Sequence, residues 1–393
     1  MSAPRVKGAG LVVALSRAGA ELAGQWNGLR LAMAAVAGSL CLAPPSGAEW
    51  SVESHGLLSS GWDSNPREWV EVGHRRGDVF NRLEWGLAFR RGRAIGIDVG
   101  WATERYLQEA SENRHLVEVA GSYRWNADKH WTEIFAGGSG RYFPQQERED
   151  PELRGDRDVQ RLELGVRGAR QHARGAVLFW QAQVVGLEKQ PLEEGSAGRS
   201  RRAGQAGGEL RLNWRPPWQV LVLLEGSGIW HEQGAIGAPV GGVSLRLGSH
   251  RRDGSLTTGI GVARSGSPSL RMSGAYQRTW SNSAGIAFQR LRVDLSAGVV
   301  LPWRMSAHLL ARWHPLSRYD DEARQLDPNT DPDDPDDAEF EERNRVVLSL
   351  QRPLSDTFLL ELQGGWHKNE SGVPFADYEK TLVQVALRYG TAG

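Results

Sequence analysis

The chain is poor in cysteine and has no long apolar run, and each absence excludes a class of protein. Its 393 residues contain a single cysteine, Cys41. A disulfide within the chain is excluded, and so are thiolate metal sites and a cysteine nucleophile beyond that position. The mean hydropathy is −0.46. Beyond residue 48, no stretch approaches the roughly 18 uncharged apolar residues of a transmembrane helix. The sequence therefore excludes a helical membrane protein.

An excess of either charge is also missing. The chain carries 47 basic and 47 acidic residues. The first 48 residues hold four of the basic residues and one acidic residue (Arg5, Lys7, Arg17, Arg30 and Glu21). The remainder holds 47 − 4 = 43 basic and 47 − 1 = 46 acidic residues, a net charge of −3. This balance does not indicate a nucleic-acid partner.

The N-terminal segment has the pattern of a secretory signal. Arg30 precedes the apolar run 31–42, and Ser46-Gly47-Ala48 supplies small residues for cleavage. We therefore predict a signal peptide over 1–48 and a mature chain from Glu49. Since 29 residues precede Arg30, either the leader is extended or translation starts further downstream; both readings stay open.

Apolar and polar residues alternate from about Trp50 to Tyr389. The run 82–90 shows this best: Leu83, Trp85, Leu87 and Phe89 share one face, while charged and small residues share the other. A period of two predicts β-strands, because successive side chains point to opposite faces. Large apolar side chains on one face and charges on the other are typical of a barrel wall between lipid and a polar lumen.

The number of such segments is 17, counting four between residues 217 and 283, of which one is 238–248. An outer-membrane barrel whose termini lie on one side needs an even number of strands. The 67 residues from 217 to 283 fit three strands better than five. The sequence therefore predicts an all-β fold: an antiparallel transmembrane β-barrel of about 16 strands over 49–393, with 18 strands as the alternative.

The connections alternate between tight and long, as at the periplasmic and extracellular ends of such a barrel. Several tryptophans lie beside the tight connections, which predicts an aromatic girdle at the periplasmic interface: Trp125, Trp131, Trp214, Trp218 and Trp303. The competing interpretation is that strand ends in any β protein place tryptophan at the edge of the core.

Two short motifs resemble a known family. Ser59-Ser60-Gly61-Trp62-Asp63-Ser64-Asn65-Pro66 resembles the opening of β-barrel porins found with bacterial exopolysaccharide clusters, and the segments 340–348 and 375–383 are similar to their last hairpins. The resemblance implies a location in the outer membrane of a Gram-negative bacterium and passage or export of a polar molecule. The last strand, 381–389, has an apolar face that ends in Tyr389. It resembles the signal recognised by the barrel-assembly machinery, although four residues follow the aromatic.

The face opposite the large apolar residues carries charges of both signs. These residues are predicted to line the lumen: Arg82, Glu84, Arg90, Asp98, Glu118, Arg124, Arg161, Glu163, Arg167, Glu209, Arg211, Arg292 and Asp294. In one interpretation they are cross-strand pairs that brace the wall. In the other, some of them select polar or charged solutes at a constriction.

The segment 320–342 holds 12 acidic residues and one arginine. Its oxygen ligands could hold Ca²⁺ weakly at Asp327, Asp331, Asp333 and Asp334. The segment lacks the turn glycine and bidentate glutamate of an EF-hand, so a solvated acidic loop is the competing interpretation.

Three functional hypotheses stay open. The first is a channel for a polar solute or carbohydrate, accessory to exopolysaccharide export. The second is a non-conducting barrel with a structural or assembly role in a secretion complex, and the third is a soluble periplasmic β protein. No histidine, serine or paired-carboxylate motif indicates an enzyme, and no cofactor is expected. Expected partners are outer-membrane lipid and lipopolysaccharide, the assembly machinery and polysaccharide, with a monomer favoured.

Overall fold

The computed structural model describes residues 50–64, 77–108, 113–142, 159–172, 175–189, 200–234, 250–281, 287–319, 342–370 and 378–390. They form 16 strands: β1 (Trp50–Asp63), β2 (Asp78–Arg91), β3 (Ile95–Tyr106), β4 (Arg114–Ala127), β5 (His130–Tyr142), β6 (Val159–Gln171), β7 (Val177–Lys189), β8 (Ser200–Arg215), β9 (Trp218–Gly234), β10 (His250–Arg264), β11 (Ser269–Ser281), β12 (Phe288–Val300), β13 (Ser306–Tyr319), β14 (Glu342–Pro353), β15 (Phe358–Glu370) and β16 (Tyr378–Gly390).

The strands close into one antiparallel barrel in which each strand pairs with its neighbours in sequence. The ring closes between β1 and β16, from His55 opposite Gly390 to Asp63 opposite Leu382. The predicted barrel of 16 strands is confirmed, and the alternative of 18 is wrong. Residues 217–283 contribute the three strands β9, β10 and β11. The segment 238–248, predicted as a further strand, lies outside the described residues.

An ion pair across the barrel identifies the face that points inward. Arg271 on β11 binds Glu209 on β8, although β9 and β10 lie between these strands. Two strands so separated can meet only through the interior of a closed barrel. Residues that pair in register with these two, or lie an even number of positions from them along an unbulged strand, therefore face inward. Most of the exposed large apolar side chains have the opposite parity and face outward.

The outward face carries an apolar zone between two rings of tryptophan. Trp218 and Trp230 mark the two rings on β9 and are 36% and 49% exposed. Twelve residues separate them, roughly 40 Å along the strand at about 3.3 Å per residue. At the usual tilt of about 40°, this is roughly 30 Å along the barrel axis. That height matches the apolar band of about 25 Å in membrane barrels, with the rings at its borders.

Short turns join the strands at one end of the barrel. In the β12–β13 turn, Leu301 N donates to Met305 O (2.9 Å), and Met305 N donates to Pro302 O (3.3 Å). The two central residues, Trp303 and Arg304, have positive φ angles of 58° and 60°. Such a turn is the mirror-image type that matches the twist of paired strands. We call this end the short-turn end and the opposite end the long-connection end.

Candidate functional site in the barrel interior

The predicted lumen residues share one face of the barrel. The strand register places all 13 on the inward face, on strands β2, β3, β4, β6, β8 and β12. Most of them form ion pairs: Arg90 on β2 lies 2.6 Å from Asp98 on β3, and Arg82 contacts Glu84 on the same strand. Pairs such as Arg90–Asp98 join one strand to the next and so brace the wall. Pairs such as Arg82–Glu84 link positions two residues apart on one strand.

Glu133 on β5 is the most enclosed of the interior carboxylates that bind two arginines. Its side chain is 3% exposed. Arg124 on β4 donates from Nε at 2.7 Å, and Arg167 on β6 donates from Nε at 3.0 Å. The carboxylate therefore joins three consecutive strands. Charge-assisted hydrogen bonds of this kind are stronger than neutral ones and offset the loss of hydration.

Glu209 forms the contact that crosses the interior. Arg211 on the same strand donates from Nε at 2.7 Å, and Arg271 on β11 donates from two nitrogens, Nη1 at 3.3 Å. Leu221 on β9 is paired with Arg211 in register and is 2% exposed. The β8–β11 bridge therefore lies over the wall that β9 and β10 form. It lies towards the short-turn end and takes space from the lumen there.

Charge is divided unequally around the inward face. Among the described side chains, β1 to β5 place eight acidic and five basic residues inward: Glu53, Asp63, Asp78, Glu84, Asp98, Glu104, Glu118, Glu133, and Arg82, Arg90, Arg114, Arg124, Arg141. The balance is reversed on β6 to β13, with five acidic and eight basic residues: Glu163, Glu209, Glu225, Asp253, Asp294, and Arg161, Arg167, Arg201, Arg211, Arg271, Arg290, Arg292, Arg312. One wall is acidic and the other is basic.

A cavity of about 360 Å³ lies against the basic wall. Its lining comes from β6 to β13 and includes five arginines and His314: Arg161, Arg201, Arg290, Arg292 and Arg312. Arg161, Arg201 and Arg290 are the second or third residues of strands that begin at the long-connection end. The cavity therefore occupies the long-connection half of the barrel, away from the β8–β11 bridge.

Sequence reasoning found only two of these six side chains, Arg161 and Arg292. The alternation could have indicated Arg290, which lies two residues before the predicted lumen residue Arg292 on the same strand. Arg312 and His314 lie on β13, which carries no predicted lumen residue, and the parity across a hairpin depends on its turn. The β12–β13 register also shifts between Leu291 and Val293, opposite a bulge that follows Trp313. His314 is 6% exposed, and its backbone N donates to Asn344 Oδ1 at 2.7 Å.

Amide side chains form a connected chain on the same wall. Gln181 Nε2 donates to Gln183 Oε1 (2.6 Å), Gln183 donates to Gln205 (3.0 Å), and Gln205 donates to Glu225 (2.6 Å). Ser227 and Ser255 continue the row of Gln183 and Gln205, with their hydroxyls 2.7 Å apart. This wall combines arginines with groups that can donate or accept hydrogen bonds.

Four of the five predicted girdle tryptophans lie on the outward face or in the turns at the short-turn end. Trp125, Trp214, Trp218 and Trp303 are 40%, 69%, 36% and 81% exposed. Trp131 departs from the prediction. It pairs with Asn126 and faces inward, and the Arg124 guanidinium lies 4.4 Å from its ring centroid. Trp131 therefore packs against the interior pairs around Glu133 instead of forming part of the girdle.

The second ring, at the long-connection end, was not predicted. It consists of outward tryptophans on several strands: Trp62, Trp230, Trp280, Trp313 and Trp366. Trp313 stacks on Trp366 with ring centroids 6.2 Å apart. The Arg252 guanidinium lies 4.6 Å from the ring centroid of Trp230. The signal in the sequence was the position of these tryptophans just before or after the long connections.

The acidic segment with Asp327, Asp331, Asp333 and Asp334 lies outside the described residues, so Ca²⁺ binding there stays a prediction. Within the described ranges, no three His, Cys, Asp or Glu side chains come close enough together to hold a metal ion. The same ranges contain no helix with the length and apolar character needed to cross a membrane.

Comparison with known proteins gives only remote similarity. No family model and no curated protein matches the chain. Among solved structures, it is similar to the Pseudomonas aeruginosa protein OpdK with vanillate, at 9% identity over 87% of this chain and 99% of that one, with a TM-score of 0.43. A bacterial polysaccharide outer membrane secretin aligns at 11% identity over 87% and 98% of the two chains, with a TM-score of 0.43. The siderophore receptor PirA of Pseudomonas aeruginosa aligns at 8% identity over 89% and 81%, with a TM-score of 0.38.

Proposed function

We propose that this chain is an outer-membrane β-barrel of a Gram-negative bacterium and acts as a porin-like channel for a polar solute or carbohydrate. The observation that carries the proposal is the outward apolar zone, bounded by tryptophan rings roughly 30 Å apart, around an interior lined with charges and amides. Leu58, Leu224 and Ile260 are 59%, 56% and 65% exposed in one zone. Soluble proteins rarely expose apolar side chains in so continuous a surface.

More specifically, the barrel would be accessory to exopolysaccharide export. Residues 59–66 and the last hairpins support this role, because they resemble porins found with bacterial exopolysaccharide clusters. Partners follow from the same proposal. Residues 1–48 would direct secretion, the assembly machinery would recognise β16, and lipid and lipopolysaccharide would surround the tryptophan rings. The chain would act as a monomer, without a catalytic role.

One observation favours a second candidate, a non-conducting barrel with a structural or assembly role in a secretion complex. The β8–β11 bridge takes space from the lumen at the short-turn end, and other ion pairs brace the wall. A barrel filled in this way could hold its shape in a complex without passing solutes.

Single-channel recording separates the two candidates. The protein would be purified from outer membranes of a Gram-negative host expressing the full chain, and then added to a planar bilayer. Stepwise openings are the result expected of a channel. A silent membrane, with circular dichroism showing β-structure, would contradict the channel and support the assembly role. N-terminal sequencing of the same sample would test cleavage before Glu49.

A further inference from the structure

The geometry points to a binding site for an anionic, hydroxyl-bearing solute, such as a sugar acid, in the cavity on the basic wall. This inference rests on the proposed function, because the solute must enter the barrel from the long-connection end. The cavity volume of about 360 Å³ is within the usual range of roughly 300–1,000 Å³ for small-molecule sites.

Five guanidinium groups give the cavity an excess of hydrogen-bond donors. Each guanidinium carries five N–H donors and no acceptor, and it stays charged at any relevant pH. Arg290, Arg292 and Arg312 line the cavity together with His314, and Asp294 contacts both Arg292 and Arg312, so these cations lie close together. A ligand that satisfies such a surface must bring acceptors, and a carboxylate accepts from guanidinium in a matching fork geometry.

The nearby carboxylates do not balance this surface. Two of them, Glu225 and Asp253, belong to the lining, against five arginines, which leaves a formal charge of +3 on the lining. Glu225 already accepts from Gln205, and Asp253 accepts from the Ser281 hydroxyl at 2.6 Å. Outside the lining, Asp294 pairs with Arg292 and Arg312 (2.8 and 2.7 Å). Glu163 lies 3.3 Å from Arg161. Counting both Asp294 and Glu163 lowers the formal charge from +3 to +1.

The rest of the lining suits the hydroxyl groups of such a ligand. Gln183, Gln205 and Gln277 supply amides, and Ser227, Ser255 and Thr279 supply hydroxyls. Amides and hydroxyls both donate and accept, which is what recognition of a sugar hydroxyl requires. A simple carboxylate such as acetate could use only the arginines. The site should therefore prefer a sugar acid to both a neutral sugar and a simple carboxylate.

Equilibrium binding tests the site independently of conduction. Sodium glucuronate, glucose and sodium acetate would be titrated calorimetrically into the purified full barrel in detergent at low ionic strength. We expect glucuronate to bind at least tenfold more tightly than either of the others. The double variant Arg290→Gln/Arg312→Gln should weaken glucuronate binding at least tenfold. The control Arg388→Gln removes an inward arginine on β16 that pairs with Glu361, outside the cavity, and should leave the affinity unchanged.

Each contrary result has a defined meaning. Absence of glucuronate binding to wild-type protein that forms channels would overturn the site and leave the channel standing. Binding of glucuronate by a protein that forms no channel would retain the site and contradict the proposed function. Equal affinity for glucuronate and acetate, or an equal loss of affinity in the control variant, would overturn the assignment. Circular dichroism of both variants would confirm that the barrel is intact.

Discussion

At the scale of single residues, two inward glutamates differ in enclosure although both bind arginine. The side chain of Glu133 is 3% exposed and binds two arginines, whereas that of Glu163 is 33% exposed and binds Arg161. Replacing Glu133 with Gln should destabilise the barrel by about 1.5–3 kcal/mol, the usual worth of hydrogen bonds to charged groups. The matched variant Glu163→Gln should cost only about 0.2–1 kcal/mol, because solvent screens exposed pairs. Unfolding of the two variants by guanidinium chloride in lipid vesicles measures both free-energy costs. Equal costs would contradict the ranking.

The β12–β13 turn supports a stabilising prediction. Arg304 has φ of 60°, a conformation that costs an L-residue other than glycine roughly 1–2 kcal/mol. Arg304→Gly should therefore raise the free energy of unfolding by about 1 kcal/mol, after the greater freedom of glycine in the unfolded chain is subtracted. The control is Arg93→Gly in the β2–β3 turn, where φ is not positive. It should be neutral or destabilising. A gain of stability in the control alone would refute the argument.

Residue positions were predictable wherever strand parity alone decides them. All 13 predicted lumen residues have inward parity because the alternation runs unbroken through them. Trp131 was misplaced because the parity across a hairpin depends on the turn, and here Ala127 pairs with His130, which puts Trp131 opposite Asn126. The contact between Arg271 and Glu209 could not be predicted, since it depends on the curvature that brings β8 and β11 together across the interior.

At the scale of the strand, the depth of an outward residue in the membrane should set the cost of a charge. Leu224 lies midway between Trp218 and Trp230 on β9, whereas Leu212 on β8 lies close to the short-turn end. Leu224→Arg should destabilise the folded barrel in lipid by about 2–4 kcal/mol, and Leu212→Arg by about 0–1 kcal/mol. Unfolding in vesicles provides the comparison. Similar, small effects at both positions would contradict a membrane-embedded belt.

Strand number was predictable because closure constrains it. The pattern from residues 217 to 283 allowed four segments, and the requirement for an even count reduced them to three, as the structure confirms. The tryptophan ring at the long-connection end was missed because only the tight turns were used to locate the interface. Arg312 and His314 of the cavity wall needed the three-dimensional register, because no predicted lumen residue lies on β13.

At the scale of the whole molecule, every strand pairs with two neighbours in a closed ring, and the first residues of β1 and the part of β13 beyond Arg312 lie outside the paired register on one side. Such pairing makes barrels resistant to detergent, because little backbone edge is left at which unfolding can begin. Unboiled protein should therefore migrate faster in sodium dodecyl sulfate gels than boiled protein. Identical mobility before and after boiling, for a sample with β-rich circular dichroism, would favour the soluble periplasmic alternative.

The division between an acidic wall on β1 to β5 and a basic wall on β6 to β13 has a consequence for molecules that carry both charges. Opposite walls create an electric field across the barrel interior, perpendicular to the barrel axis. A zwitterion entering this field experiences a torque that turns its negative end towards β6 to β13. Two stereoisomers held in that one orientation would present different groups to the lining. The barrel could therefore discriminate between stereoisomers without a rigid pocket.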